Sequence, residues 1–161
     1  MKFKCASADL NFIHEAPIQL EYLVDINASA LKTYRVLDDP ATWPFWFHGM
    51  SAATPLQQDH SGVWRKVTLN RFIDFREEFI VRESPSRLAY RVAAVSIPYA
   101  DELVECFDVE ETEQGVRVRY RIGLRVHKKL SPLKGVIKAI GTHAYKKSLR
   151  ALKVYIESTA D

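Results

Sequence analysis

The sequence predicts an α+β fold: an antiparallel meander of strands closed by one long C-terminal helix. Three observations predict it. Residues 17–26 alternate apolar and polar side chains, residues 51–126 run strand after strand, and residues 133–156 repeat apolar side chains at helical spacing.

The first strand is the clearest. Ile18, Leu20, Tyr22, Val24 and Ile26 point one way and Gln19, Glu21 and Asp25 the other, the period-two pattern of a half-buried strand. Asn27 or Ser29 then caps a helix in which Leu31, Tyr34 and Leu37 lie opposite Lys32, Arg35 and Asp38. Asp39-Pro40 ends it, because a residue before proline is driven out of the α region. In Trp43-Pro44-Phe45-Trp46-Phe47 the proline limits any further helix to a single short turn.

Turns at Asp59-His60-Ser61-Gly62, Ser84-Pro85-Ser86 and Glu113-Gln114-Gly115 divide the meander, with further breaks near Asn70 and Pro98. Intervals of roughly 10–15 residues leave no room for crossover helices, so neighbouring strands pair antiparallel. For the last hairpin, a register that sets Phe107 opposite Val118 sets Leu103 opposite Ile122, Asp108 opposite Arg117 and Glu105 opposite Tyr120. Val116, Val118, Tyr120, Ile122 and Leu124 form its apolar face, and Arg117, Arg119, Arg121 and Arg125 its wet one. In the closing helix Leu133, Ile137, Ile140, Ala144, Ala151 and Tyr155 fall on one side, with Lys138, Lys146, Arg150 and Lys153 nearly opposite.

The chain of 161 residues fits one domain, 1–161, since domains typically hold about 100–150 residues. No apolar run approaches the ~20 residues of a membrane span. The opening Met1-Lys2-Phe3-Lys4-Cys5 leads into Ala6-Ser7-Ala8-Asp9, so no signal peptide and a cytoplasmic location are expected. Cys5 and Cys106 lack metal or CxxC spacing and are expected as free thiols. His14, His48, His60, His127 and His143 show no metal-binding spacing, and no phosphate loop or GxSxG elbow is present. No metal and no cofactor is expected.

The order of elements resembles the START-like (SRPBCC) superfamily, in its polyketide cyclase/dehydrase and lipid-transport branch. Ala28 to Trp46, with Asp39-Pro40 followed by Trp43-Pro44 and aromatics, looks like the first helix and its sequel in that family. Glu83-Ser84-Pro85-Ser86-Arg87-Leu88 looks like its proline turn, and Gly115-Val116-Arg117-Val118-Arg119-Tyr120 like its last strand. The resemblance covers about residues 16–158 and leaves 1–16 unexplained. It implies a helix-grip fold, in which a curved antiparallel sheet of about seven strands wraps the C-terminal helix, two short helices follow strand 1, and a hydrophobic cavity lies between sheet and helix.

A ligand in that cavity would meet residues already conspicuous in the pattern. Gly141, Ala144, Ser148 and Ala151 are small side chains on the inward side of the helix, where they either pack closely or leave volume. Glu77 interrupts the apolar series Ile73, Phe75, Phe79, Val81, and Glu105 interrupts Leu103, Phe107, Val109. A buried carboxylate needs a partner, so each Glu either meets a Tyr, an Arg or a ligand polar group, or is turned outward at a rim or bulge. Tyr90, Tyr99, Tyr120 and Arg65 are candidate donors. Trp43, Phe45, Trp46 and Phe47 are expected at one mouth, as a lid or a fixed plug, and Trp64 and Phe75 among the residues that contact the ligand.

Eight Lys or Arg and no acid lie between His127 and Ile156, so the net charge of +3 conceals a polarised molecule. Without interleaved aromatics or a docking fold this face does not predict nucleic-acid binding, whereas it suits transient contact with an anionic membrane. The leading functional reading is a carrier of a small hydrophobic molecule such as a lipid, a quinone or a polyketide-like compound. The second is a cyclase, aromatase or dehydratase in which Glu77, Glu105 or a Tyr moves protons. The third is a co-chaperone-like interaction module with a filled core.

Overall fold

Period-two segments can bury their apolar faces only by pairing and curling around a common filler, and this chain does so with nine strands. A computed structural model describes residues 1–159. In chain order the elements are β1 (Phe3–Lys4), α1 (Phe12–Glu15), β2 (Ile18–Ile26), α2 (Ala30–Asp38), α3 (Trp43–Trp46), β3 (Met50–Ala53), β4 (Gln57–Asp59), β5 (Gly62–Leu69), β6 (Ile73–Glu83), β7 (Arg87–Val95), β8 (Ala100–Thr112), β9 (Gly115–Val126) and α4 (Lys134–Ser158). Short 3-10 turns occupy Pro40–Thr42 and Lys128–Leu133. Seven strands form the main path, β2-β9-β8-β7-β6-β5-β3, all antiparallel, while β1 adds to β7 and β4 to β5.

Bulges bend the sheet where the ladder shifts register, between Arg76 and Glu77, between Phe79 and Val81, and between Ala100 and Glu102. The curled sheet grips α4. Ser148, Leu149, Leu152 and Ile156 are the buried residues of that helix and share one core with Ile26, Val116, Val118 and Tyr120. This stripe is turned from the expected one: Leu133 and Ile140 are exposed, because Leu149, Leu152 and Ile156, near the C-terminal end, settle into the core and set the rotation of the helix. In α2 the buried residues are Ala30, Thr33, Tyr34 and Leu37, with Leu31 outside, and the Ser29 hydroxyl caps the helix by accepting from the Lys32 N–H at 3.2 Å.

The last hairpin also differs from expectation. Thr112 pairs with Gly115 around a two-residue loop, which sets Phe107 opposite Tyr120, Leu103 opposite Leu124, Asp108 opposite Arg119 and Glu105 opposite Ile122. The shift is two residues, so every side chain keeps its expected face. The tight turn needs glycine. Gly115 has φ +133, and a Cβ there would stand 2.3 Å from the Ile26 carbonyl oxygen.

The first 16 residues, which the sequence pattern left unexplained, clasp the outside of the sheet. The β7–β8 ladder stops at Arg91 opposite Val104, and the N-terminal segment bridges the gap beyond it. The Cys5 N–H donates to the Ala93 carbonyl at 2.9 Å and the Ala6 N–H to the Asp101 carbonyl at 2.8 Å. Ala8, Phe12, Ile13 and Ala16 then form a second small core with Ala89, Val104 and Cys106 on the outer face. Gly123 permits this approach, since a Cβ there would lie 2.8 Å from the Ile13 Cα.

Candidate functional site

The N-terminal half of α4 stands off the sheet, and the space beneath it is a cavity of about 380 Å³. Alternation along the strands supplies its wall: Val67 and Leu69 from β5, Ile73, Phe75 and Glu77 from β6, Val92 from β7, and Leu103 and Glu105 from β8. Ile137, Gly141, Ala144 and Tyr145 of α4 form the roof, and Phe47 to Met50 close one side. Volume is left because Gly141 and Ala144 are small where Leu149 and Leu152, farther along the helix, fill the core.

Two polar clusters sit on this otherwise apolar wall. In the first, the Arg65 Nε–H donates to Glu77 Oε2 at 2.6 Å. The guanidinium is 0% exposed and lies 3.8 Å from the Trp43 ring centroid, with the Tyr90 and Phe79 rings at 5.2 and 5.4 Å. Burial pushes the Glu77 pKa up, and the adjacent Arg65 charge pulls it back.

In the second cluster Glu105 Oε2 accepts hydrogen bonds from two phenols, Tyr90 at 2.6 Å and Tyr120. Tyr120 reaches Glu105 diagonally, because its directly paired neighbour is Phe107, on which it stacks at 3.9 Å. Burial, helped by the charge of Glu77, raises the Glu105 pKa to about 7 against the opposing pull of the two phenols. Burial likewise raises Tyr90, Tyr120 and Tyr145 well above the ordinary phenol value, and Tyr99 to about 12. All four therefore act near neutrality as uncharged hydroxyls. Such an arrangement can bind a polar substituent on an apolar molecule, and Glu105 can hold or release a proton near neutral pH.

Of the residues singled out in the sequence, Phe47, Phe75, Glu77, Glu105, Gly141 and Ala144 line the cavity. Tyr90 and Tyr120 stand behind it and hold Glu105. Ser148 is a tie and not part of the wall: it accepts from the His48 N–H at 2.9 Å and donates to the Ala144 carbonyl at 2.9 Å. Trp43 and Trp46 are buried in the core behind the cavity, where Trp43 donates its indole N–H to the Leu37 carbonyl at 2.9 Å. Phe45, between them, is exposed and stacks on Tyr155. Trp64 is not brought to the cavity. It has the opposite parity to Arg65 and so lies on the outer face, under the Arg76 guanidinium at 3.9 Å. The sequence reading missed Tyr145 and His48. The signal for Tyr145 was present, since Ile137, Gly141 and Tyr145 repeat at four-residue spacing on one helical face.

Residues 17–157 match the protein family described as polyketide cyclase / dehydrase and lipid transport. The chain belongs to that family. Among similar proteins, uncharacterized proteins of Mycobacterium bovis and Mycobacterium tuberculosis are 25% identical over 158 residues, covering 97% of this chain and 95% of theirs. Solved structures share the fold at low identity. A START superfamily protein from Mycobacterium smegmatis superposes with a TM-score of 0.69 at 12% identity, over 86% of this chain and 97% of that one. The di-domain ARO/CYC protein StfQ from the steffimycin biosynthetic pathway gives 0.70 at 12% identity over 89% of this chain, which spans about half (52%) of StfQ. These likenesses establish a helix-grip, START-like fold suited to hydrophobic ligands, and they leave the particular ligand open.

The Glu105 environment has a measurable consequence. The folded protein keeps this proton up to about pH 7, while the ordinary value of 4.5 applies once the chain unfolds. Between those values the native state binds more protons, so the stability tied to neutral Glu105 is complete below 4.5 and is lost as pH rises through 7. The stability of the wild type relative to Glu105→Gln should therefore fall across this window, by on the order of 3 kcal/mol. Urea melts of both proteins at several pH values check it; a pH-independent difference contradicts it.

Proposed function

We propose that this protein binds and carries a small, largely apolar molecule in the cavity under α4, anchored at its polar end by Glu105 and Glu77. One observation carries the reading: an apolar-walled cavity whose about 380 Å³ lies within the roughly 300–1,000 Å³ typical of ligand pockets, with two carboxylates, Glu77 and Glu105, in its lining. In this reading Phe47, Phe75, Gly141 and Ala144 contact the ligand, Tyr90 and Tyr120 position Glu105, Trp43 backs the Arg65–Glu77 pair, and Trp46 and Ser148 hold the roof in place. Membership of a family described by lipid transport supports it, and carriage within the cytoplasm suits it. An interaction module with a filled core fits this interior poorly.

A second reading, turnover of the ligand by a cyclase, aromatase or dehydratase type of reaction, is favoured by the convergence of Tyr90 and Tyr120 on a carboxyl group whose pKa lies near neutrality. The StfQ likeness supports the same direction.

The mouth supports loading from a lipid surface. Leu133, Val136 and Ile140 form an exposed stripe on the helix that roofs the cavity, at 52%, 57% and 65% exposure, and Phe72 adjoins the cavity-lining Ile73 at 74%. Lys147 is exposed two turns farther along the same side of the helix, so apolar and basic side chains face the same water, the combination that favours an anionic bilayer.

Two measurements test these proposals. Gly141→Leu with Ala144→Leu fills the cavity, and it should weaken binding of the apolar probe N-phenyl-naphthylamine by about tenfold or more while the thermal midpoint holds or rises. Undiminished binding in a folded variant contradicts the site. Co-sedimentation should be greater with phosphatidylserine-containing vesicles than with phosphatidylcholine alone, and Val136→Asp with Ile140→Asp should abolish the difference. Equal sedimentation with both lipids removes the membrane contact.

A further inference from the structure

The polar end of the cavity is short of one positive charge. Glu77 and Glu105 are each 5% exposed, and both line the cavity. Each uses only one oxygen within the protein: Glu77 Oε2 accepts from Arg65, and Glu105 Oε2 accepts from Tyr90 and Tyr120. Among the described residues no hydrogen bond reaches Oε1 of either side chain, so two carboxylate oxygens stand available where a ligand would end.

The charges around them are few and can be named element by element. Arg65 of β5 is the fixed cation and already serves Glu77 of β6. Tyr90 of β7, Tyr99 before β8, Tyr120 of β9 and Tyr145 of α4 carry no charge near neutrality. His48, between α3 and β3, is held below its ordinary pKa by burial and by Lys147 and His143, which favours its neutral form. His143 of α4 completes the set, and among the described residues no Lys or Arg lines the cavity. When Glu105 is ionised, the Arg65 charge attracts it but is already paired with Glu77, so among the described residues Glu105 has no ion pair of its own.

We infer that the cavity takes an apolar molecule bearing a protonated amine, its ammonium group held between Glu77 and Glu105 and its hydrocarbon lying among Phe75, Leu103 and Tyr145. This narrows the carrier reading above and rests on it. An ammonium group supplies three donors and a charge, enough for both Oε1 atoms and for the uncompensated carboxylate. A hydroxyl supplies one donor, a ketone none, and a carboxylate would add a third negative charge to the same end. Burying a cation is costly by itself, and the buried anion already present offsets that cost. The alternative way to neutralise the site is for Glu105 to keep its proton and donate it to a ligand carbonyl, which predicts the opposite ligand preference.

Isothermal titration of the wild-type protein with four probes on one naphthalene frame separates these cases. The probes are naphthylethylamine, naphthylethanol, naphthylacetone and naphthylacetate, used at about pH 8 so that Glu105 is ionised while the amine stays charged. The amine should bind about tenfold or more tighter than the alcohol and the ketone, and naphthylacetate weakest. Glu105→Gln should lower the affinity for the amine more than that for the alcohol, which a folding defect would not do. If the alcohol, the ketone or the acetate equals or exceeds the amine in the wild type, the amine inference is overturned and the cavity reading stands. If no probe binds, both fail.

Discussion

A guanidinium with no exposed surface, Arg65, is the constraint around which this interior is organised. It comes from β5, meets Glu77 of β6 at 2.6 Å and lies flat on Trp43 of α3, so three elements meet at one charge. Burying an ion pair is not in itself a source of stability, because desolvation offsets much of the attraction. Losing one partner is a different matter: it strands the other charge, at a cost of about 3–5 kcal/mol. The pair therefore fixes how β5, β6 and α3 sit against one another, and the proline-broken aromatic turn exists to supply its platform. Among the described residues Nη1 and Nη2 of Arg65 have no hydrogen-bond partner, which leaves Glu77 as its one ion-pair partner there.

Glu105 completes the polar end on different terms. Its partners are neutral phenols, so it keeps a negative charge only against the cost of burial, and the balance falls near pH 7. The cavity and the core share the same helix. Toward its C-terminus α4 presents Leu149, Leu152 and Ile156 and packs; toward its N-terminus it presents Gly141 and Ala144 and leaves room. The exposed apolar stripe of Leu133, Val136 and Ile140 continues from the same half, so the part of the helix that fails to pack is also the part that opens to the surface.

Much of the fold was legible because period-two and helical patterns survive without tertiary knowledge. Strand β2, the hairpin turns and the long helix lie where alternation and spacing put them, and a two-residue error in the last hairpin left every face correct. Parity put Glu77 and Glu105 in the apolar series but left open whether a rim or a bulge turned them outward. The pattern could not tell which of several equally large apolar residues on the helix would meet the sheet, so it placed Ile140 inside and overlooked Leu149 and Leu152. It could not tell that Trp43 and Trp46 serve as a platform and filling and not as a mouth, since both uses call for the same side chains. Trp64 has the opposite parity to Arg65, and that alternation sends it to the outer face. The N-terminal clasp has no periodicity at all: it depends on Gly123 across the sheet, a relation that only three dimensions reveal.

In the proposed function Glu105 is a buried carboxyl group poised near neutrality at the polar end of the ligand cavity. Carbon-13 NMR of the glutamate side-chain carboxyl groups, with Glu105 assigned by comparison with Glu105→Gln, reads this directly across a pH titration. The predicted result is a Glu105 resonance that titrates near pH 7 in the free protein and shifts its midpoint when the cavity is filled. A midpoint at the ordinary value of 4.5, indifferent to ligand, would contradict it.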